Sequence, residues 1–217
     1  MQRTLEPELM DTEEEAASYD AMDNSASNAA VVELLVELGA HGRILDIGTG
    51  PGHIPLMVCE RIAECTVVGI DLAKTMLRYA ERHREASPYR DRLEFRLADA
   101  KSLEFEDASF DTVFSNTILH HIPDPRTFLA EARRVLKPGG VLLIRDLFRP
   151  ETPERALELV DLHVADGTPD QRELFRASLH AAFTVEELRE LADEVGLADA
   201  SISVDSDRHV SIRLSAE

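Results

Sequence analysis

Apolar residues gather into five short runs, near 43–47, 66–70, 93–98, 110–115 and 141–145, each brief enough to be a buried strand. Between the first three runs, and again after the fourth, the spacing changes to that of amphipathic helices, the first of them ending near Ala63. Upstream, Ala30, Val31, Leu34, Leu35 and Leu38 recur at helical spacing before Gly39, which predicts a helix that packs on the sheet. Asp124 and Pro125 predict the opening of the helix after the fourth strand, as N-cap and first helical residue. Strands alternating with helices imply a parallel sheet covered on both faces. Two further strands, near 199–204 and 209–214, flank the polar turn Asp205-Ser206-Asp207-Arg208 and predict a hairpin that closes the sheet antiparallel. The fold expected is α/β, a doubly wound seven-stranded sheet, mostly parallel with an antiparallel C-terminal strand.

Residues 147–182 form an excursion that such a sheet does not need. Thr152-Pro153 and Thr168-Pro169 each pair a cap with proline at the first helical position, and Gln171 completes a capping box in the second. Thr184-Val185-Glu186-Glu187 repeats the device for a helix that stops at Gly196. Two cap helices are therefore expected beyond the carboxyl ends of the strands, where α/β proteins bind ligands. At 217 residues the chain suits one domain over 1–217. Its parts would be an N-terminal lid and helix (1–40), a core (41–146), a helical cap (147–182) and a helix with the strand hairpin (183–217).

The candidate chemistry begins at Arg43-Ile44-Leu45-Asp46-Ile47-Gly48-Thr49-Gly50-Pro51-Gly52, an apolar strand running into alternating glycines. Glycine allows positive φ and lets a ligand lie against bare backbone N–H groups at the next helix. Asp46 would add a carboxylate beside that ligand. The second strand, Thr66-Val67-Val68-Gly69-Ile70-Asp71, ends on an acid about 20 residues later, the place of a ribose-binding carboxylate. Helix capping is the alternative role for Asp71. A nicotinamide fingerprint would read G-x-G-x-x-G, whereas this chain has G-x-G-x-G, and none of Tyr19, Tyr79 and Tyr89 has a lysine four residues on. A nicotinamide-dependent oxidoreductase is thereby disfavoured.

In this order of motifs the chain resembles the class I S-adenosylmethionine-dependent methyltransferases over almost its whole length, and is closest to the quinone-biosynthesis enzymes in the cofactor half. Asp46 to Gly52 looks like the family's glycine loop, Asp71 like its ribose ligand, and Leu97-Ala98-Asp99-Ala100 like its adenine-binding turn. Phe110 to Asn116 resembles the fourth strand, Leu119-His120-His121-Ile122 the segment after it, and Arg134 to Ile144 the helix, tight turn and fifth strand. The resemblance implies a Rossmann-like fold, S-adenosyl-L-methionine as cofactor, and methyl transfer to a small-molecule acceptor. It implies cofactor contacts from Asp46, Gly48, Thr49, Gly50, Gly52, Asp71, Leu72, Asp99, Ala100 and Asn116. Tyr19, with Asp20, would belong to a lid. Asn116 would bond the methionine end, with turn formation as its alternative, and Asp99 the adenine amine, with helix capping as its alternative.

His120 and His121 are the candidate catalytic bases, because histidine takes protons near neutral pH. Adjacent side chains diverge, so one at most is expected to face the site. Arg145, Arg149, Arg172 and Arg176 could bind a carboxylate acceptor, with ordinary ion pairs as the alternative. His163 and His180 lack metal-ligand spacing, and no metal is expected. Cys59 and Cys65 read as buried thiols.

Charge removes one class of partner. Forty-two acids against 23 bases give a net charge of −19, and only Lys74, Lys101 and Lys137 are lysines, so phosphate backbones are repelled and no nucleic-acid partner is expected. No basic-then-apolar leader opens the chain and no run approaches the length of a membrane span, which predicts a cytoplasmic protein with no membrane partner. A homodimer is compatible with the sequence. A cofactor-binding regulatory module without catalysis is the second functional reading.

Overall fold

In a computed structural model, which describes residues 1–6, 11–22 and 24–216, seven strands form one sheet in the order β3-β2-β1-β4-β5-β7-β6. They are β1 (Arg43–Ile47), β2 (Thr66–Asp71), β3 (Leu93–Leu97), β4 (Phe110–Asn116), β5 (Leu136–Leu147), β6 (Ser201–Val204) and β7 (His209–Leu214). The first five are parallel; β7 runs antiparallel to β5, and β6 antiparallel to β7. Strand order reverses between β1 and β4, which opens a crevice at their carboxyl ends.

Helices α2 (Ser25–Glu37) and α3 (His53–Arg61) cover one face; α5 (Arg126–Val135) and α8 (Val185–Glu194) cover the other. The strand period of two explains how one strand serves both. Ile44 packs with Val31, Leu35 and Val58, while its neighbours Leu45 and Ile47 pack with Phe128, Leu129 and Leu188. Between α3 and β3 lies α4 (Lys74–Ala86) beside β2. The cap is α6 (Pro153–His163) and α7 (Pro169–Ala181), joined to β5 through Leu147, Leu159 and Leu179. Both Thr-Pro caps form: Thr152 Oγ1 accepts from Arg155 N, and Thr168 and Gln171 complete a capping box. No helix among the described residues is long and apolar enough to cross a membrane.

Two local expectations are corrected, and one element is added. The fourth-strand helix starts at Arg126 with Pro125 as N-cap; Asp124 sits one residue earlier, where its Oδ1 accepts from Arg126 N at 3.2 Å. The turn Lys137-Pro138-Gly139-Gly140 lies inside β5 as an irregularity: Phe110 faces Leu136 and Thr112 faces Val141, so β5 carries three more residues than β4 across this stretch of the ladder. The polar N-terminal segment contains a further helix, α1 (Glu13–Asp20), nucleated by a Thr12–Glu15 capping box.

Candidate functional site

The glycine loop leaves β1 and folds back over the end of β2. Gly48 N and Thr49 N both donate to the Ile70 carbonyl, at 2.8 and 2.9 Å, and Gly50 N donates to Asp71 Oδ2 at 2.8 Å. Positive φ at Gly48 (79°) makes the reversal, and a Cβ there would stand 2.4 Å from Ile118 Cγ2. Gly50 differs. Its φ is 53°, and the nearest atom to an added Cβ is Tyr19 Cε1 at 3.9 Å, so its backbone faces an open cleft.

Asp71, Leu72 and Ala73 form one wall of that cleft, Ala98, Asp99 and Ala100 the next, and Asn116, Thr117, Ile118 and His121 the opposite one. Tyr19 from α1 overhangs it. Asp71 Oδ1 also accepts from Ala73 N at 2.8 Å, so this carboxylate organises both the loop and the start of α4; burial outweighs these bonds and lifts it above the usual carboxylate range. Burial would raise Asp99 too, but the Lys101 amide (2.9 Å) and ammonium (3.0 Å) hold it low. Asn116 Oδ1 accepts from Arg145 Nη1 at 3.0 Å, which fixes the amide's orientation. Thr117 is held at φ 56°, a strained conformation for a β-branched residue, with its N–H donating to the Arg145 carbonyl at 2.8 Å. Nothing in the sequence around Thr117 signals that strain.

Three residues expected at the ligand lie elsewhere. Asp46 is 2% exposed inside the sheet, opposite Gly69 and Phe114, and lines no part of the cleft; its Oδ2 and the neighbouring Thr49 Oγ1 are buried without a hydrogen bond among the described residues. Burial pushes the Asp46 carboxyl up to about 7. Gly52 serves packing: a Cβ there would meet Phe95 Cζ at 2.8 Å and Ala80 Cβ at 3.0 Å, so glycine lets α3 sit close to β3 and α4.

His120 and His121 lie on a 3₁₀ turn after β4, and their rings converge instead of diverging, with centroids 4.2 Å apart. Both approach one acid that the sequence did not single out: Glu6 Oε1 is 3.2 Å from His120 Nε2 and from His121 Nδ1. His120 is buried, with Nδ1 2.5 Å from Asp146 Oδ1. Burial alone would lower its pKa, but Asp146 and Glu6 outweigh that and raise it to about 9. His121 lines the cleft.

A second hollow adjoins the first and shares Tyr19, Asn116, Thr117 and His121 with it. Leu162 and His163 of α6, Leu174 and Phe175 of α7, and Leu147 wall its far side. The four arginines considered for a carboxylate acceptor all have acidic neighbours: Asp205 for Arg145 (3.5 Å), Glu187 for Arg149 (2.6 Å), Asp161 for Arg172 and Glu173 for Arg176 (2.6 Å). Cys59 and Cys65 are buried and free. Folding also assembles two trios that sequence spacing hides, Glu6-His120-His121 and Asp20-His53-His83.

A family model for the methyltransferase domain matches residues 45–144. The chain is 38% identical over 152 residues to a demethylmenaquinone methyltransferase of Thermus thermophilus, covering 67% of each protein. It spans less than half the length of other curated relatives it matches, 45% of one and 43% of two more. A Methanococcus maripaludis structure described as an S-adenosyl-L-methionine-dependent methyltransferase superposes with a TM-score of 0.76 at 21% identity, covering 100% of this chain and 97% of that one. A Haemonchus contortus phosphoethanolamine N-methyltransferase 2 in complex with S-adenosyl-L-methionine gives a TM-score of 0.67 at 27% identity, over 88% of this chain and 43% of that one.

Proposed function

Because the chain belongs to the methyltransferase family, we propose that it transfers a methyl group from S-adenosyl-L-methionine to a small-molecule acceptor and releases S-adenosylhomocysteine. One observation carries the reading: the unobstructed Gly50 backbone and Asp71 border a slot that adjoins, at Tyr19, Asn116, Thr117 and His121, a second hollow in which an acceptor could meet a bound cofactor. The residues fit the cofactor. Asp71 suits a ribose hydroxyl, Leu72, Ala98 and Ala100 suit the faces of a purine, Asp99 suits its amine, and Asn116 with Gly48 suits the amino-acid end. When bound, S-adenosyl-L-methionine supplies an electrophilic methyl group on a sulfonium centre.

The rest falls to the chain. Displacement at a methyl group is accelerated by holding the acceptor in line and dry, which Tyr19 and the two cap helices do from above. His121 receives the acceptor's proton: Glu6 beside its Nδ1 favours the tautomer whose Nε2 is free of a proton. His120 is an imidazolium at neutral pH, clamped between Asp146 and Glu6, and acts by positioning Glu6 and the turn. Leu147, Leu162 and Phe175 favour an acceptor with an apolar body, in keeping with the quinone named for the Thermus relative. A net charge of −19 favours a small molecule over a nucleic acid, and a cytoplasmic setting is consistent with both.

Calorimetry with S-adenosylmethionine, S-adenosylhomocysteine and NADH, on wild type and Asp71→Ala, tests the reading. Binding of both adenosyl ligands, weakened at least about tenfold in the variant, supports it, since a charged hydrogen bond contributes about 1.5–3 kcal/mol. Binding of NADH alone would overturn it. Adenosyl binding without S-adenosylhomocysteine release across a set of phenol, quinol, thiol and amine acceptors would favour a regulatory module.

A further inference from the structure

Asp20 ends α1, His53 begins α3 and His83 lies near the end of α4, so three segments distant in sequence meet where the overhanging helix touches the glycine loop. Asp20 Oδ1 is 2.9 Å from His53 Nε2 and 3.5 Å from His83 Nε2. His83 Nδ1 is 2.8 Å from the Pro51 carbonyl oxygen. A carbonyl only accepts, so Nδ1 carries the proton of that bond and Nε2 is the ring atom turned toward the Asp20 carboxylate. Asp20 Oδ1 is itself buried without a hydrogen bond among the described residues. Two imidazole nitrogens and this carboxylate oxygen thus converge on one point, an arrangement that a cation between the three atoms satisfies.

We propose that Asp20, His53 and His83 bind a divalent transition-metal ion of the zinc type, which fastens α1 to the glycine loop. Two imidazole nitrogens and one carboxylate oxygen suit zinc and its neighbours, whereas magnesium and calcium prefer oxygen alone. Zinc bonds of about 2.0–2.1 Å in a tetrahedron set ligand atoms about 3.3 Å apart, and the two separations here straddle that value. The Pro51 carbonyl supplies the outer hydrogen bond that orients a metal-bound histidine. Side-chain exposures between 20% and 35% leave a path for the ion and a fourth position for water. Tyr19 precedes Asp20, so the same ion holds the phenol ring over Gly50. Only that consequence for the cleft rests on the cofactor reading; the metal site does not.

The test is hydrogen exchange across Glu13–Asp20 in the full chain, stripped with a chelator and then given Zn²⁺, with no adenosyl ligand present. Wild type should show exchange slowed about tenfold or more by zinc, because fastening α1 suppresses its local opening. His53→Ala and His83→Ala should each abolish the slowing while keeping the metal-free melting temperature; two variants guard against one that misfolds. The readout is local to α1, so zinc bound elsewhere does not imitate it. Exchange indifferent to zinc, following pH alone as protonated histidines paired with Asp20 would make it, overturns the site, as does equal slowing in wild type and both variants. A failed cofactor reading leaves this result untouched.

Discussion

Asp46→Asn should stabilise the protein more and more as pH rises, by an amount the fold lets one calculate. The carboxyl is buried inside the sheet between β2 and β4, and titrates near 7 where the unfolded chain titrates near 3.8. An acid whose folded value is raised binds its proton more tightly in the native state, so stability is full at low pH and falls as pH climbs from about 4 through 7. At about 1.4 kcal/mol per pH interval the whole loss is about 4 kcal/mol, of which about three quarters falls between pH 4.5 and 8. Asparagine keeps the shape and carries no charge. Urea unfolding of both proteins at intervals over that range, without ligand, gives the quantity that matters, which is the difference between the two stability curves. His209 and His120 titrate as well, with pKa values near 3 and 9, but they cancel in the difference. A gap that widens with pH by about 3 kcal/mol supports a buried, neutral Asp46. Parallel curves would refute the reasoning, since they would mean that the carboxylate is already charged and compensated at pH 4.5.

Backbone conformation supplies a matched pair of outcomes: Gly48→Ala, at φ 79° and against Ile118, should lower stability by about 1–3 kcal/mol, while Thr117→Gly, which relieves φ 56°, should raise melting temperature and weaken ligand binding. Thermal melts and calorimetry on the same preparations check both. His120→Gln should lose the stability that the raised histidine contributes below pH 6.5, and its disadvantage against wild type should fade as pH passes 9, the direction expected for a folded value held above the unfolded one. Tyr19→Ala should speed release of a bound adenosyl ligand in stopped flow, while Tyr19→Phe should keep the wild-type rate if the ring's cover, and not its hydroxyl, is what counts.

How far the chain could be read without its fold depends on whether the information is local. Strand and helix periodicity, the two Thr-Pro caps and the hairpin are short-range properties, set by side-chain spacing and capping chemistry, and they appear where the pattern places them. The glycine loop and Asp71 belong to this class too, because a strand, a tight turn and a helix put them together within about 25 residues. Starts displaced by a residue or interrupted by a bulge, as at Pro125 and Lys137, turn on tertiary packing that periodicity does not report.

Which face a side chain presents, and what reaches it from far away, was decided by the folded chain. Asp46 points to the face opposite Leu45 and Ile47, which pack with Val68 and Ile70, so an acid that looks like a ligand in one dimension becomes a buried carboxyl in three. Glu6 meets His120 and His121 across more than a hundred residues, Asp146 locks His120 from the neighbouring strand, and Asp20 joins His53 and His83 from three helices. Charge and hydrogen-bond partners of that kind follow from long-range closure of the sheet and its lid. They set proton affinities and metal-binding geometry, while the local pattern of apolar positions sets the scaffold that makes the meeting happen.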